Sequence, residues 1–317
     1  MRRWLLCLAF LFCAPLGAQP WPAKPIRIVV PFPAGGIADI YSRLIGARWT
    51  EAWGQPVVVE NRTGAGGNIA ADLVARSAPD GYTVVMGSIG THAVNVSLFS
   101  KLSYDPVKDF APIALAVDAD GLLAVHPSVP VGNVPELIAL ARAKPGGLTY
   151  ASAGAGTASH LAGELFKAMA KVDLLHVPYK GNVPAITDLL AGQTSLIFAT
   201  MPTVLPHTRA GKLKAIATIG SARAAATPEL PTVNESLPGF VVNNWVGLFA
   251  PAGTPAEIVN RMNAETAKFM QQKDIEARLT GEGGRFLPMT PAQFGDFVKA
   301  EIAKWGPVVK ASGAKAD

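Results

Sequence analysis

Ile26-Arg27-Ile28-Val29-Val30, then Pro31-Phe32-Pro33-Ala34-Gly35-Gly36, then Ile37-Ala38-Asp39: this stretch decides the fold. Its opening residues are β-branched and, Arg27 apart, apolar, which predicts a strand covered on both faces. From Ile37 onward, Ile40, Tyr41, Leu44, Ile45, Trp49 and Trp53 recur at helical spacing, and Gly54 supplies a stop. Strand, glycine-rich turn and helix therefore follow one another without a linker. A glycine pair in such a turn lets backbone approach a small molecule closely. The free N–H groups of the first helical turn then face that molecule from the positive end of the helix dipole. Such a turn can hold an anion without a charged side chain.

The unit recurs along the chain. Val57-Val58-Val59 predicts a second strand, residues 61–68 a second glycine-rich turn, and Ile69, Leu73 and Val74 one face of the next helix. Residues 82–86 predict a third strand, followed by the polar turn Gly87-Ser88-Ile89-Gly90-Thr91-His92. Val134, Leu137, Ile138 and Ala141 predict a helix stopped by Pro145-Gly146-Gly147; residues 148–151 then predict a strand and 152–157 a third glycine-rich turn. Leu161, Ala162, Leu165, Phe166 and Met169 face one way on the helix after it. Strands are predicted at 174–177, 195–198, 213–218 and 243–250, a helix at 183–190, and closing helices from Pro255 and Pro291. This alternation predicts an α/β fold of mainly parallel sheets flanked by helices. A chain of 317 residues predicts two domains. Ligands of parallel sheets sit beyond the carboxyl ends of the strands, where these turns gather. The expected site is thus a cleft between the domains.

The bulk composition narrows the function. The chain opens Met1-Arg2-Arg3, continues with an apolar run over 4–12 and reaches Leu16-Gly17-Ala18, which predicts a signal peptide over 1–18 cleaved near Ala18. The run is too short to span ~30 Å of hydrocarbon. Both cysteines, Cys7 and Cys13, lie within the expected signal peptide. The exported form would then carry no disulfide, cysteine nucleophile or thiolate metal site. The 28 Lys and Arg against 23 Asp and Glu, net +5, are scattered rather than clustered, which argues against nucleic acid as a partner. The five histidines are dispersed and lack metal-ligand spacing, so no metal is expected. There is no Gly-x-Ser-x-Gly elbow, Walker A loop or His-Glu-x-x-His, so no catalytic residue is nominated. Asp118-Ala119-Asp120-Gly121 lacks the remaining ligands of a calcium loop, and Gly64-Ala65-Gly66-Gly67 lacks the last glycine of a dinucleotide fingerprint. No cofactor is expected. The bulk reading is a soluble periplasmic monomer.

Six motifs in order resemble one family. They are Pro31-Phe32-Pro33-Ala34-Gly35-Gly36 with Asp39; Glu60-Asn61-Arg62 with Gly64-Ala65-Gly66-Gly67-Asn68; Tyr150-Ala151-Ser152-Ala153-Gly154 with Ser159-His160-Leu161-Ala162-Gly163-Glu164; His176-Val177-Pro178-Tyr179-Lys180-Gly181; Leu205-Pro206-His207 with Ala210-Gly211-Lys212; and Phe249-Ala250-Pro251-Ala252-Gly253-Thr254-Pro255. Together they resemble the tripartite tricarboxylate transporter receptors, the Bug or TctC-type solute-binding proteins. The resemblance implies a type II-like periplasmic binding protein. Its first domain would comprise 25–122 plus 247–317 and its second 123–246, with two crossing hinge strands near 122–125 and 245–248. It implies a small carboxylate ligand held chiefly by backbone amides and hydroxyls, and a membrane permease or a sensor as partner.

Carried over by motif, the resemblance implies ligand-binding positions at Phe32, Ala34, Gly35, Gly36 and Asp39. It adds Ser88, Thr91 and His92 after the third strand, Ala153, Gly154, Thr157 and Ser159 in the second domain, and Tyr179 and Lys180 in the next loop. Where relatives often place an Asp, this chain has Ala199, which weakens an amino-acid ligand and suits one without an amine. Several of these positions also have a purely structural reading. Asp39 is an acid in a helical first turn, favoured by the dipole alone. Thr157 can be an N-cap, Tyr179 part of the core, and Lys180 a solvated charge. The 64–67 turn reads as packing between the domains' loops. A secreted α/β enzyme acting on a small ester or acid, and a receptor for a neutral amide or aromatic compound, stand as alternatives.

Overall fold

The computed structural model describes residues 21–312; the expected signal peptide lies outside the described residues. The first run of elements is β1 (Ile26–Val30), α1 (Ile37–Trp53), β2 (Val57–Asn61), α2 (Asn68–Ala75), β3 (Thr83–Ser88), α3 (Asn95–Leu98) and β4 (Phe110–Ala119). Then come β5 (Gly121–Val125), α4 (Val134–Ala143), β6 (Thr149–Ser152), α5 (Ala158–Ala170), β7 (Leu175–Pro178), α6 (Asn182–Leu190), β8 (Leu196–Thr200), α7 (Met201–Arg209), β9 (Lys214–Thr218) and α8 (Val233–Ser236). The chain closes with β10 (Asn244–Pro251), α9 (Ala256–Met270), α10 (Lys273–Gly281), β11 (Gly284–Arg285) and α11 (Pro291–Ser312).

Two sheets result. One has the order β11-β4-β10-β3-β1-β2, the other β7-β6-β8-β5-β9. The α/β class stands as expected, but the sheets are mixed rather than mainly parallel. β1, β2 and β3 are parallel to one another, as are β6, β7 and β8. β10 runs antiparallel to β3 and β4, and β5 antiparallel to β8 and β9. These antiparallel strands flank the passages between the sheets, where no crossover helix forces parallel entry. Being buried on both faces, they show the same unbroken apolar character as parallel strands. The chain leaves the first sheet at Asp120, between β4 and β5, and returns after Val242, ahead of β10.

Each sheet is sealed by helices. The indole of Trp49 on α1 is fully buried, and its Nε1–H donates to Thr266 Oγ1 on α9 at 3.2 Å. On the opposite face, Glu301 of α11 accepts from Trp245 Nε1 at 3.0 Å and Trp305 Nε1 at 3.1 Å, so one buried carboxylate ties β10 to the last helix. The polar turn expected over 87–92 is mostly helical. A π-helical turn, Gly90–Val94, leads straight into α3 and buries every residue it contains. Periodicity is silent on a single wide turn of this kind.

Trp49→Ala removes the plug between α1 and α9 and is expected to cost about 3–5 kcal/mol of stability, read by urea unfolding. A loss under about 1 kcal/mol contradicts this packing.

Candidate functional site

Where the sheets face one another, their turns enclose a cavity of about 50 Å³, room for a few water-sized groups. Its walls come from both sides: Gly36, Ile37 and Ala38 at the start of α1, and Ala153, Thr157 and Ser159 at the start of α5. Ser88 closes it at the end of β3, and Phe198, Ala199 and Thr200 at the end of β8. No charged side chain is among its lining residues.

The electrostatics come from helix ends. α1 begins at Gly36 and α5 at Thr157, both N-caps are extended, and neither receives a side-chain cap. The first-turn N–H groups of each helix have no intrahelical acceptor, so both positive ends look into the same space. The Thr157 hydroxyl, which as an N-cap could accept an orphan N–H, instead donates to the Gly154 carbonyl at 2.6 Å. It also lies 2.9 Å from Ser159 Oγ, which accepts the Ala153 N–H at 2.8 Å. α7 contributes less: the Met201 N–H is spent on the Asp120 carbonyl at 2.9 Å, and Pro202 has none. α6 supplies Asn182, whose Nδ2 donates to Thr200 Oγ1 at 3.3 Å while its Oδ1 is buried without a partner.

Of the positions named from sequence, Phe32, Gly36, Ser88, Ala153, Thr157, Ser159 and Ala199 line this cavity. Gly154, Tyr179 and Lys180 line a neighbouring groove of about 200 Å³ together with residues 64–67, and Phe32 and Ala153 border both spaces. The Tyr179 hydroxyl donates to Asp188 Oδ2 at 2.7 Å; burial and that carboxylate push the phenol up to about 12. Ala34 and Gly35 are exposed and outside the cavity.

Asp39 is buried, also outside the cavity, and accepts from Arg43, Asn61 and the Gly35 N–H. Burial alone would raise its pKa, but those bonds outweigh it and hold the carboxyl below its ordinary value. It braces the turn from behind. Thr91 and His92 are likewise buried beneath the wall. Thr91 Oγ1 accepts the Ser88 N–H at 2.9 Å and lies 2.8 Å from His92 Nδ1. The His92 ring stacks on Phe249 at 3.8 Å, its Nε2 has no partner, and burial holds its pKa down at about 3.

The glycine-rich turns have a second task. A Cβ on Gly66 would lie 2.6 Å from the Ala155 carbonyl oxygen, and one on Gly181 would lie 2.6 Å from Pro33 Cδ; both residues also sit at positive φ. The loops of the two sheets touch through bare backbone at these points. The packing role read for the 64–67 turn is visible here.

Sequence reasoning did not name Asn182, Thr200, Ile219, Asn244 and Val246, which also line the cavity. Thr200 sits beside the named Ala199, and Asn182 directly follows the motif that ends at Gly181, so both are within reach of the same reasoning. Ile219 enters just after β9, and Asn244 and Val246 from β10, where nothing local distinguishes a wall residue from core.

A sequence profile described as "Tripartite tricarboxylate transporter family receptor" matches residues 42–314. Protein BugT of Bordetella pertussis is 36% identical over 304 residues, covering 95% of this chain and 93% of that one. An R. palustris protein solved with adipate superposes with a TM-score of 0.91 at 38% identity, covering 93% of this chain and 99% of the other. MatC from Rhodopseudomonas palustris with bound malate gives a TM-score of 0.87 at 38% identity, covering 91% and 100%.

His92 makes stability depend on pH. Its folded pKa lies below the ordinary 6.5, so the unfolded chain takes the proton more readily. The stabilisation is complete above about 6.5 and declines by about 1.4 kcal/mol per pH unit as pH falls towards the folded value. Urea unfolding at pH 7.5 and 5.5 is expected to show a smaller decline in His92→Gln than in the wild type. Equal declines contradict a neutral buried ring.

Proposed function

The chain belongs to the tripartite tricarboxylate transporter receptor family, and from that premise we propose that it captures a small carboxylate between two lobes outside the cytoplasm. The closed form is then presented to a membrane permease or a sensor. One observation carries the ligand class: two uncapped helix N-termini, one from each sheet, face a single cavity whose lining holds no charged side chain. Fixed main-chain dipoles suit an anion and are poor partners for a cation. The neighbours solved with adipate and malate support the same reading.

The walls refine it. Phe32, Ile37, Phe198 and Ile219 are apolar, which favours a dicarboxylate with a hydrocarbon middle or an aromatic carboxylate over a densely hydroxylated acid. Ala199 offers no counter-charge to an ammonium, so an amino acid is disfavoured. The lobes would be 25–122 with 247–317, and 123–246, bounds that fall within a few residues of the two passages between the sheets, at Asp120 and after Val242. A ligand touching both lobes shifts the population to the closed form because the open form offers only half of its contacts. No helix among the described residues is long and apolar enough to cross a membrane. The role is binding rather than turnover: Ser152 and His176 form a serine–histidine pair, but the serine is fully buried behind the loop and neither residue lines the cavity.

The test is thermal unfolding of refolded, ligand-free protein against adipate, malate, citrate, benzoate and glutamate. At 100 times Kd the binding term is about 2.7 kcal/mol, and the melting temperature rises accordingly. Adipate or malate is expected to shift it and glutamate not. Ser159→Ala is expected to weaken the best carboxylate by about tenfold. No shift with any carboxylate overturns the reading.

A further inference from the structure

We propose that His160 and His176 are positioning residues that hold the 152–159 loop against the ligand, so that protonating them loosens the loop and weakens capture. The proposal rests on the carboxylate-receptor reading and deepens it. Ala153, Thr157, Ala158 and Ser159 of this loop line the cavity. Behind them stand three stacked rings, with His176 4.6 Å from Tyr150 on one side and 4.5 Å from His160 on the other, at interplanar angles of 15° and 21°. Each histidine grips the loop. His176 Nε2 lies 2.6 Å from Ser152 Oγ, which accepts the Gly154 N–H at 3.1 Å. His160 Nδ1 accepts the Gly156 N–H at 3.3 Å.

The second bond exists only while Nδ1 carries a lone pair. A proton there turns the acceptor into a donor aimed at another donor. The charged and titratable surroundings do not supply a free counter-ion. The Tyr150 hydroxyl on β6 donates to Glu164 Oε1 at 2.6 Å, and Lys167 Nζ lies 3.0 Å from the same oxygen. Asp188 on α6 is engaged by Tyr179. Glu164 is therefore shared between a phenol and an ammonium on α5. Two imidazolium rings stacked on each other would also repel. Burial lowers both histidines, His160 in direction and His176 to about 4, so both rings are neutral near pH 7.

The contribution of one ring can be sized. If His176 titrates at its ordinary 6.5 when the loop is released and at about 4 when it is held, that ring alone lowers the ratio of held to released loop by about thirtyfold by pH 5. Binding, which requires the held form, weakens by up to that factor through this ring.

The experiment uses adipate and malate as probes on the exported form of the protein, with Kd measured by calorimetry between pH 7.5 and 5.0. Wild type is expected to lose about three- to thirtyfold in affinity across that range. His160→Asn and His176→Gln keep a neutral acceptor near Nδ1 and Nε2 respectively and are expected to flatten the profile. His160→Asn is also expected to restore most of the affinity that His160→Ala loses. The ligand's own titration is common to every variant and cancels. In ligand-free protein, the Gly154 and Gly156 amide resonances are expected to shift together with the imidazole titration. Identical pH profiles in wild type and both acceptor variants overturn the proposal, as do loop amides that stay put while the rings titrate. If neither probe binds at pH 7.5, the carboxylate reading fails, and the amide titration alone decides the histidine claim.

Discussion

Two helix ends aimed at one small space are the constraint on which this structure turns. α1 and α5 come from opposite sheets, and each starts in a turn that leaves its first N–H groups uncapped. Ordinarily such donors are satisfied by a Ser, Thr, Asp or Asn side chain or by water. Here the candidates point elsewhere. Thr157 donates to its own loop, Gly36 has no side chain, and Asp39 turns back to Arg43 and Asn61. The unspent polarity is therefore concentrated where the lobes meet. A guest with negative charge satisfies both ends at once, which neither lobe does alone.

That convergence depends on close backbone approach. Gly66 against Ala155 and Gly181 against Pro33 leave no room for a β-carbon. The glycine-rich turns bring donors to the cavity and also let the loops of the two sheets meet. The supports behind the turns are polar and buried. Asp39 braces the first turn, and the Ser152–His176 and Gly156–His160 bonds brace the second. A site built on main-chain donors is only as well placed as those braces, and they include titratable groups. Binding and proton uptake are therefore coupled through the second-lobe loop rather than through a charge in the cavity.

Much of this was legible in the chain. Ile26–Val30 running into Gly35-Gly36 and a helical pattern from Ile37 gave the first strand, turn and helix, and Gly54 ends α1 in the left-handed conformation. The α5 start was readable from 152–157 in the same way. What local pattern could not give was direction: β4, β5 and β10 are as apolar as any parallel strand, so their antiparallel course is invisible to periodicity. The expected polar turn over 87–92 hides the π-helical turn at Gly90–Val94 for a similar reason, since one wide turn has no repeat to detect. Among the candidate site residues, the family resemblance groups Thr91 and His92 with Ser88, yet of these three only Ser88 reaches the cavity wall. Which face of a turn a side chain takes is decided by packing, here by the stacking of His92 on Phe249.

The most direct test is a crystal structure with adipate or malate bound. Carboxylate oxygens within about 3 Å of main-chain nitrogens in the first turns of both α1 and α5 are the predicted result. A carboxylate held instead by a lysine or arginine side chain, or seated in the outer groove with those amides untouched, would contradict it.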